Sequence, residues 1–337
     1  MFSFRTTSLF EQHDNALTRG RVAVLESPSA WYAEIDAYLW EIVARRWNMV
    51  KLLSDSELTC AALREYKIDA LIIERQSTGD CYDPFLGILA TLFREMRDTE
   101  NQTAVYILDR YNPSGRQVEG VHRNGFPQKH GLTFGEVANM FHTEMAARFP
   151  LHIISADVTG AGRDLTAWSI PPYPDYSSAF SPYLHSGQYL WNGTNVSHGE
   201  GTSRPYEFFG APYMKNLPGV EAAYNKGVYM RKCTFKPLSG PYAEQDCFGY
   251  QLLPNPAEQY NAYQHAVRLI RLIHDNCPEF AFNESIDEIV GDDLIMAYLQ
   301  GDCDWETARE YIKTEEQKWL RKAKKYLLYE EPLFRVK

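Results

Sequence analysis

The sequence predicts an α/β fold: a Rossmann-like parallel sheet with helices on both faces, followed by a smaller α+β region. Three observations carry that reading. Short apolar runs alternate with helical stretches from Arg21 to Asp109, and buried runs separated by helices of that length read as βαβ units. Beyond about Tyr213 the pattern changes to short strands and turns, then to three closing helical stretches. The length, 337 residues, exceeds one ordinary core and favours two units of about 100–200 residues each.

The strands of the first unit are RVAVLE (21–26), MVKLL (49–53), IDALIIE (68–74) and AVYILD (104–109), separated by helices over about 30–46, 56–67 and 85–98. Right-handed crossovers bring the C-terminal ends of such strands to one edge, where open α/β sheets bind ligands. The first strand runs into LESPSAWY with no GxGxxG, so no dinucleotide and no other cofactor is expected. The segment 109–131, polar and punctuated by Gly and Pro, reads as a loop. Thr133 with Glu136 three residues on forms a capping box, and Phe134, Val137, Ala138, Phe141 and Met145 give the helix behind it an apolar face. LHIISAD (151–157) supplies a fifth strand, and the stretches 158–168 and 171–183 are too rich in Gly, Pro and Ser for regular structure. In the second unit GVYMRKCTFKP (227–237) and CFGYQLL (247–253) read as strands, and 259–275, 286–299 and 304–329 as helices.

Apolar content of 45% and charged content of 23% are those of a globular protein. A net charge of −10 argues against nucleic acid or an anionic membrane surface as the main partner, and the basic cluster at 318–325 reads as the solvated face of a helix. The N-terminus has neither a signal-like apolar core nor a transmembrane run, which places the chain as given in the cytoplasm, or in the periplasm or outside the cell after loss of a leader. Six cysteines without CxxC spacing indicate no zinc or redox site, and no metal is expected. Free thiols are the default, with a Cys233–Cys247 bridge open in an oxidising compartment.

The stretch NGTNVSHGEGTSRPYEFFGAPY (192–213) has the composition of a site. Its glycines let backbone approach a ligand, its Asn, Ser and Thr offer donors and acceptors, and its aromatics can wall a pocket. A long loop tied down by its own turns is the structural alternative.

Together with LDRYNPSGRQVEG (108–120), KHGLTFGEVA (129–138), and IDEIVGDD with KAKKYLLY near the end, that stretch resembles one family: DUF1343, represented by the NamZ exo-β-N-acetylmuramidases of glycoside hydrolase family 171. The resemblance runs from about Leu9 to Tyr329. It implies a Rossmann-like domain (1–185), a smaller α+β domain (186–337), and a cleft between them that releases N-acetylmuramic acid from non-reducing ends of peptidoglycan fragments, so that the partner would be a peptidoglycan-derived amino sugar. Position by position, Asp109, Arg110, Asn112 and Pro113 match the family's DRPNP, and Glu119 and Gly120 its VEG. His130, Gly131, Thr133, Gly135 and Glu136 match RHGMTIGE, with Lys129 for arginine. Gly193 to Ser197, Gly199, Gly201 and Thr202 match GTNVSEGRGT, and Arg163 with Trp168 resembles a W-x-R region. The departures concern charge. The family's PEHG after the second strand is here LLSDSEL, with Asp55 and Glu57 out of register. DIQDVG becomes ERQSTG, which keeps Gln76 and Gly79, while Asn192, His198 and Glu200 replace charged residues beside GTN and within EGRGT.

Glycoside hydrolysis needs a carboxylic acid for the leaving oxygen and a second carboxylate, or the substrate's own acetamide, at the anomeric carbon. The catalytic candidates are Glu119, Glu200 and Asp109, and the substrate-binding candidates are Arg110, Asn112, His130, Arg163, Asn192, Asn195, Ser197 and His198. Arg110 and Arg163 suit a lactyl carboxylate. Several have a structural alternative: an ion pair with Arg110 holding the loop for Asp109, a cap for Glu136, backbone satisfaction for His130. Two functions therefore stand, an exo-acting muramidase with an altered set of acids, and a paralogue that binds muropeptides or amino sugars without cleaving them.

Overall fold

The computed structural model describes residues 7–32, 35–155, 176–218, 220, 227–255 and 258–336. Five strands, β1 (Val22–Leu25), β4 (Met49–Leu53), β5 (Ala70–Ile73), β6 (Ala104–Asp109) and β9 (Leu151–Ser155), form a parallel sheet in the order β4-β1-β5-β6-β9. The chain steps outward from β1 to β4 and then crosses back over β1 to β5, so the topological switch lies between β1 and β5. The central strands β1 and β5 are buried along their whole length, as continuous apolar runs covered on both faces require. One face carries α3 (Cys60–Glu65), α4 (Pro84–Asp98) and α5 (Phe134–Glu144), whose Leu63, Phe85, Leu89, Phe93 and Ala138 pack on the sheet. The other carries α1 (Thr7–Arg19) and α2 (Leu39–Arg46) through Leu17, Leu39 and Val43.

Thr133 caps α5 as expected. Its hydroxyl accepts from the Glu136 backbone N–H at 3.1 Å, and the Glu136 carboxylate accepts from Thr133 N–H at 2.9 Å. Three expectations of element needed correction. The helix over 30–46 is instead a short hairpin, β2 (Trp31–Tyr32) with β3 (Ala37–Tyr38), followed by α2; Asp36 turns it with φ of 48°. The supposed loop 109–131 contains a hairpin of β7 (Gln117–Arg123) and β8 (Phe126–Lys129), whose two-residue turn has Asn124 at φ 51° and Gly125 at φ 87°, the Asn-Gly turn that suits the twist of paired strands. The helix over 286–299 is two, α8 (Ile286–Val290) and α9 (Asp293–Gln300), because Gly291 adopts a left-handed C-cap with φ of 67°.

The second core gathers α6 (Ser181–Gln188), the antiparallel sheet β10 (Phe208–Ala211), β12 (Cys247–Pro254) and β11 (Val228–Phe235), and the helices α7 (Ala262–Asn276) to α10 (Trp305–Ala323). Val118, Val121 and Phe126 of the β7–β8 hairpin are buried in it, and the expected boundary at 185/186 falls within α6. Strand β13 (Phe334–Arg335) pairs in parallel with β7. All six cysteines are free thiols. Among the described residues no helix is long and apolar enough to cross a membrane, and no three His, Cys, Asp or Glu side chains are grouped to hold a metal ion.

Candidate active site

The cleft at the switch point has a volume of about 370 Å³. Its walls are the segments that leave three strand ends, Glu26–Ser29 after β1, Ser54–Asp55 after β4 and Arg75–Thr78 after β5, together with Asp83 and Pro84 at the start of α4. Pairing of Leu25 with Leu53, continued by Glu26 N–H donating to the Leu53 carbonyl at 2.7 Å, brings Glu26 and Asp55 to the same mouth. Behind them the floor is fixed. Arg110 Nη1 donates to the Ser29 carbonyl at 2.8 Å, Gln76 N–H donates to Ser29 Oγ at 3.2 Å, and Tyr32 OH donates to buried Glu74 at 2.5 Å.

Two residues in this cleft keep unspent hydrogen-bonding capacity. Arg75 Nη1 spans both Asp55 carboxylate oxygens, at 3.0 and 2.9 Å, while its guanidinium lies 4.3 Å from the centre of the Phe85 ring. Gln76 donates from Nε2 to the Tyr111 carbonyl at 2.9 Å, and its buried Oε1 accepts no hydrogen bond. Asp83 is spent as the cap of α4, accepting from Phe85 N–H at 3.0 Å and Ser77 Oγ at 2.8 Å. Burial raises its pKa above the ordinary carboxylate value.

A second cleft, of about 610 Å³, is lined by Ser177, Tyr189, Asn192, His198, Glu200, Thr202, Tyr206 and Ser239. Gly199 and Gly201 take positive φ here, and so does Tyr206, at 62°, a conformation that costs a non-glycine residue about 1 kcal/mol or more and clusters at functional sites. His198 stacks on Tyr206 with ring centres 4.6 Å apart, and burial lowers its pKa to about 4, so the imidazole is neutral. A buried dyad runs between the two clefts. Asp80 accepts from Thr78 Oγ1 at 3.1 Å and meets His185 Nδ1 at 2.5 Å, and the His185 ring stands edge-on to Tyr206.

The structure therefore brings together three of the sequence-derived candidates, Asn192, His198 and Glu200, in the second cleft. Asn195 and Ser197 belong to the same loop but turn their bonds inward. Asn195 donates to the Glu279 carbonyl and accepts from Ala281 N–H and Tyr213 OH, and Ser197 Oγ accepts from Gly199 N–H. Arg110 lies behind Ser29 at the floor of the first cleft. Asn112 clamps the chain, with Nδ2 on the Leu132 carbonyl and Oδ1 on Ser114 N–H. His130 is fully buried, its Nδ1 accepting from Leu132 N–H, and desolvation lowers its pKa to about 4. Arg163 lies outside the described residues.

Asp109 and Glu119, the other two catalytic candidates, are both buried. Asp109 is enclosed, accepting from Arg110 N–H, Thr133 Oγ1, Gly135 N–H and Tyr329 OH, and burial pushes its pKa up to about 6. A Cβ at Gly135 would stand 2.5 Å from its Oδ2, so only glycine lets the backbone reach the carboxylate. Glu119 is buried against Lys129 and accepts from Tyr263 N–H and Gln117 Nε2. Neither opens onto the switch-point cleft or the second one. Glu26, Ser29 and Arg75 were missed by residue-level reasoning. The signal that finds them is topological, since they follow the strands on either side of the crossover reversal.

An open α/β sheet with a polar, carboxylate-bearing cleft at its switch point defines the class of doubly wound, ligand-binding folds. The family models for the exo-β-N-acetylmuramidase NamZ match this chain in both halves, the N-terminal model over residues 54–169 and the C-terminal model over 183–329. The chain belongs to the NamZ-type DUF1343 family. It is 27% identical over 283 residues to the peptidoglycan β-N-acetylmuramidase NamZ of Bacillus subtilis (strain 168), covering 78% of this chain and 68% of that protein. Two DUF1343 family proteins of Bacteroides fragilis share the fold. One has a TM-score of 0.82 at 19% identity over 97% of this chain and 99% of its own, the other 0.75 at 20% over 97% and 98%. Family membership makes the chain muramidase-like at the level of class.

Proposed function

We propose that this protein is an exo-β-N-acetylmuramidase that releases N-acetylmuramic acid from non-reducing ends of peptidoglycan fragments, with the chemistry in the switch-point cleft. The observation that carries this reading is the meeting of Glu26 and Asp55 at adjacent strand ends beside Arg75 and Gln76. Exposed Glu26 is the proton donor to the leaving oxygen as the glycosidic C–O bond breaks. Asp55 is the carboxylate at the anomeric side, taking a proton from the water that adds to the anomeric carbon. Asn192, His198 and Glu200 hold the portion of the ligand beyond the scissile bond, a role suited to neutral His198 as donor and acceptor. Asp109 and Glu119 position backbone and do not touch substrate.

A second reading, binding of muropeptides without cleavage, draws support from the tie between Asp55 and Arg75, which holds the carboxylate after β4 in an ion pair. Turnover of a chromogenic β-glycoside of N-acetylmuramic acid separates the two. The hydrolase reading expects turnover that falls by at least about 100-fold in Asp55→Asn and in Glu26→Gln. Calorimetric binding of N-acetylmuramic acid with no turnover in the wild type selects the binding protein.

A further inference from the structure

We propose that Arg75 reads the carboxylate of the lactyl ether at C3 of the bound sugar and so sets the preference for N-acetylmuramic acid over N-acetylglucosamine; this rests on the sugar-cleft reading above. A guanidinium has two bidentate edges. Asp55 occupies Nη1 with both of its oxygens, at 3.0 and 2.9 Å. That leaves the Nε–Nη2 edge with no partner among the described residues. The Arg75 side chain is 18% exposed and its plane is fixed against Phe85, so the free edge is pre-organised. A ligand carboxylate there forms two parallel charge-assisted hydrogen bonds without displacing Asp55.

The acidic surroundings give the site its selectivity. Glu26, Asp55 and Asp83 line the same cleft, and like charges repel a carboxylate placed anywhere but on that edge. The lactyl group is therefore accepted in one orientation. Gln76 supplies the second contact. Its Oε1 is a buried acceptor without a donor in the same cleft, a condition that costs free energy until a ligand N–H fills it. On N-acetylmuramic acid the acetamide N–H at C2 and the lactyl ether at C3 are neighbours, which matches an acceptor and a cation on successive residues after β5.

Calorimetry with the free sugars tests the assignment. Wild-type protein is expected to bind N-acetylmuramic acid roughly 10- to 100-fold more tightly than N-acetylglucosamine, the range of a charge-assisted pair. Arg75→Gln is expected to abolish that ratio by weakening the muramic sugar, with N-acetylglucosamine affinity within about twofold of wild type as the internal check on folding. Asp55→Asn is expected to keep or raise the ratio, because it removes a repelling charge and leaves Arg75 in place. An Arg75→Gln variant that retains the wild-type ratio, or weakens both sugars equally, overturns the role of Arg75 and leaves the sugar cleft standing. Wild-type protein that binds neither sugar overturns the cleft reading and this one together.

Discussion

The acids beneath the β7–β8 hairpin and the acids at the switch point differ in what remains for them to do. Asp109, Glu119 and Glu136 are all buried, each accepting from several groups of the chain, and Glu316 is buried beside them with one oxygen accepting from Gly120 N–H. Glu26 and Asp55 stand at strand ends open to solvent, the side chain of Asp55 37% exposed and held by one arginine. Carboxylates whose lone pairs are filled hold backbone in place; carboxylates with spare capacity at a sheet's C-terminal edge are available to a ligand. Several of the residues that match the family's blocks most closely, Asp109, Asn112 and Thr133 among them, are spent on the chain's own backbone and side chains, and the proposed chemistry lies with neighbours that match it less well.

Breaking the sealed network gives the largest effect. Lys129→Met leaves Glu119 charged and enclosed, and should destabilise the fold by about 3–5 kcal/mol in urea denaturation, with part of the loss restored in the Glu119→Gln/Lys129→Met double variant. A single variant within about 1 kcal/mol of wild type would show that water reaches the pair and would erase the contrast between the two regions.

Next comes pH. Burial raises Glu316 from 4.5 to about 7 and Asp109 from 3.8 to about 6, so between those limits the folded chain binds more protons than the unfolded one. Their contribution is fully present below the unfolded values and is lost as pH rises through the folded ones. Glu316→Gln removes one such group. Its stability relative to wild type should rise between pH 4.5 and 8 by on the order of 3 kcal/mol; a difference that stays flat with pH would mean Glu316 titrates as an ordinary surface acid.

The smallest effect sharpens the other side of the comparison. Asp55→Asn gives up a part-exposed ion pair and should shift stability by no more than about 1 kcal/mol, although the hydrolase reading has it lose turnover. Thermal denaturation alongside the glycoside assay checks both. A large loss of stability would place Asp55 with the frame.

The fold was legible where local chemistry and tertiary packing agree. The strands β1, β4, β5, β6 and β9 read as apolar runs, and the Thr133–Glu136 box marked a helix start. The β7–β8 hairpin was legible in principle from Asn124-Gly125, but Pro127 and the surrounding polar residues hid it, since Gln117, Glu119, Gln128 and Lys129 are buried polar side chains that bond to partners distant in sequence. For the same reason no period in the sequence tells that Glu119 faces inward. The second cleft was foreshadowed by the glycines and aromatics of 192–213. Arg75 was not, because a lone arginine after a strand has no local signature, and its position beside Asp55 arises only when β4 and β5 flank β1.

Tyr329 reaches back 220 residues to Asp109, Leu328 N–H donates to Glu136, and Phe334 pairs with Gln117. During synthesis from the N-terminus, the Asp109 and Glu136 carboxylates therefore stay short of their full set of donors until residues 328–335 have left the ribosome. Loop closure over such a span is entropically slow to repay. Nascent chains arrested before that point should hold the parallel sheet while the interior next to it stays wet, which makes them a natural substrate for chaperones.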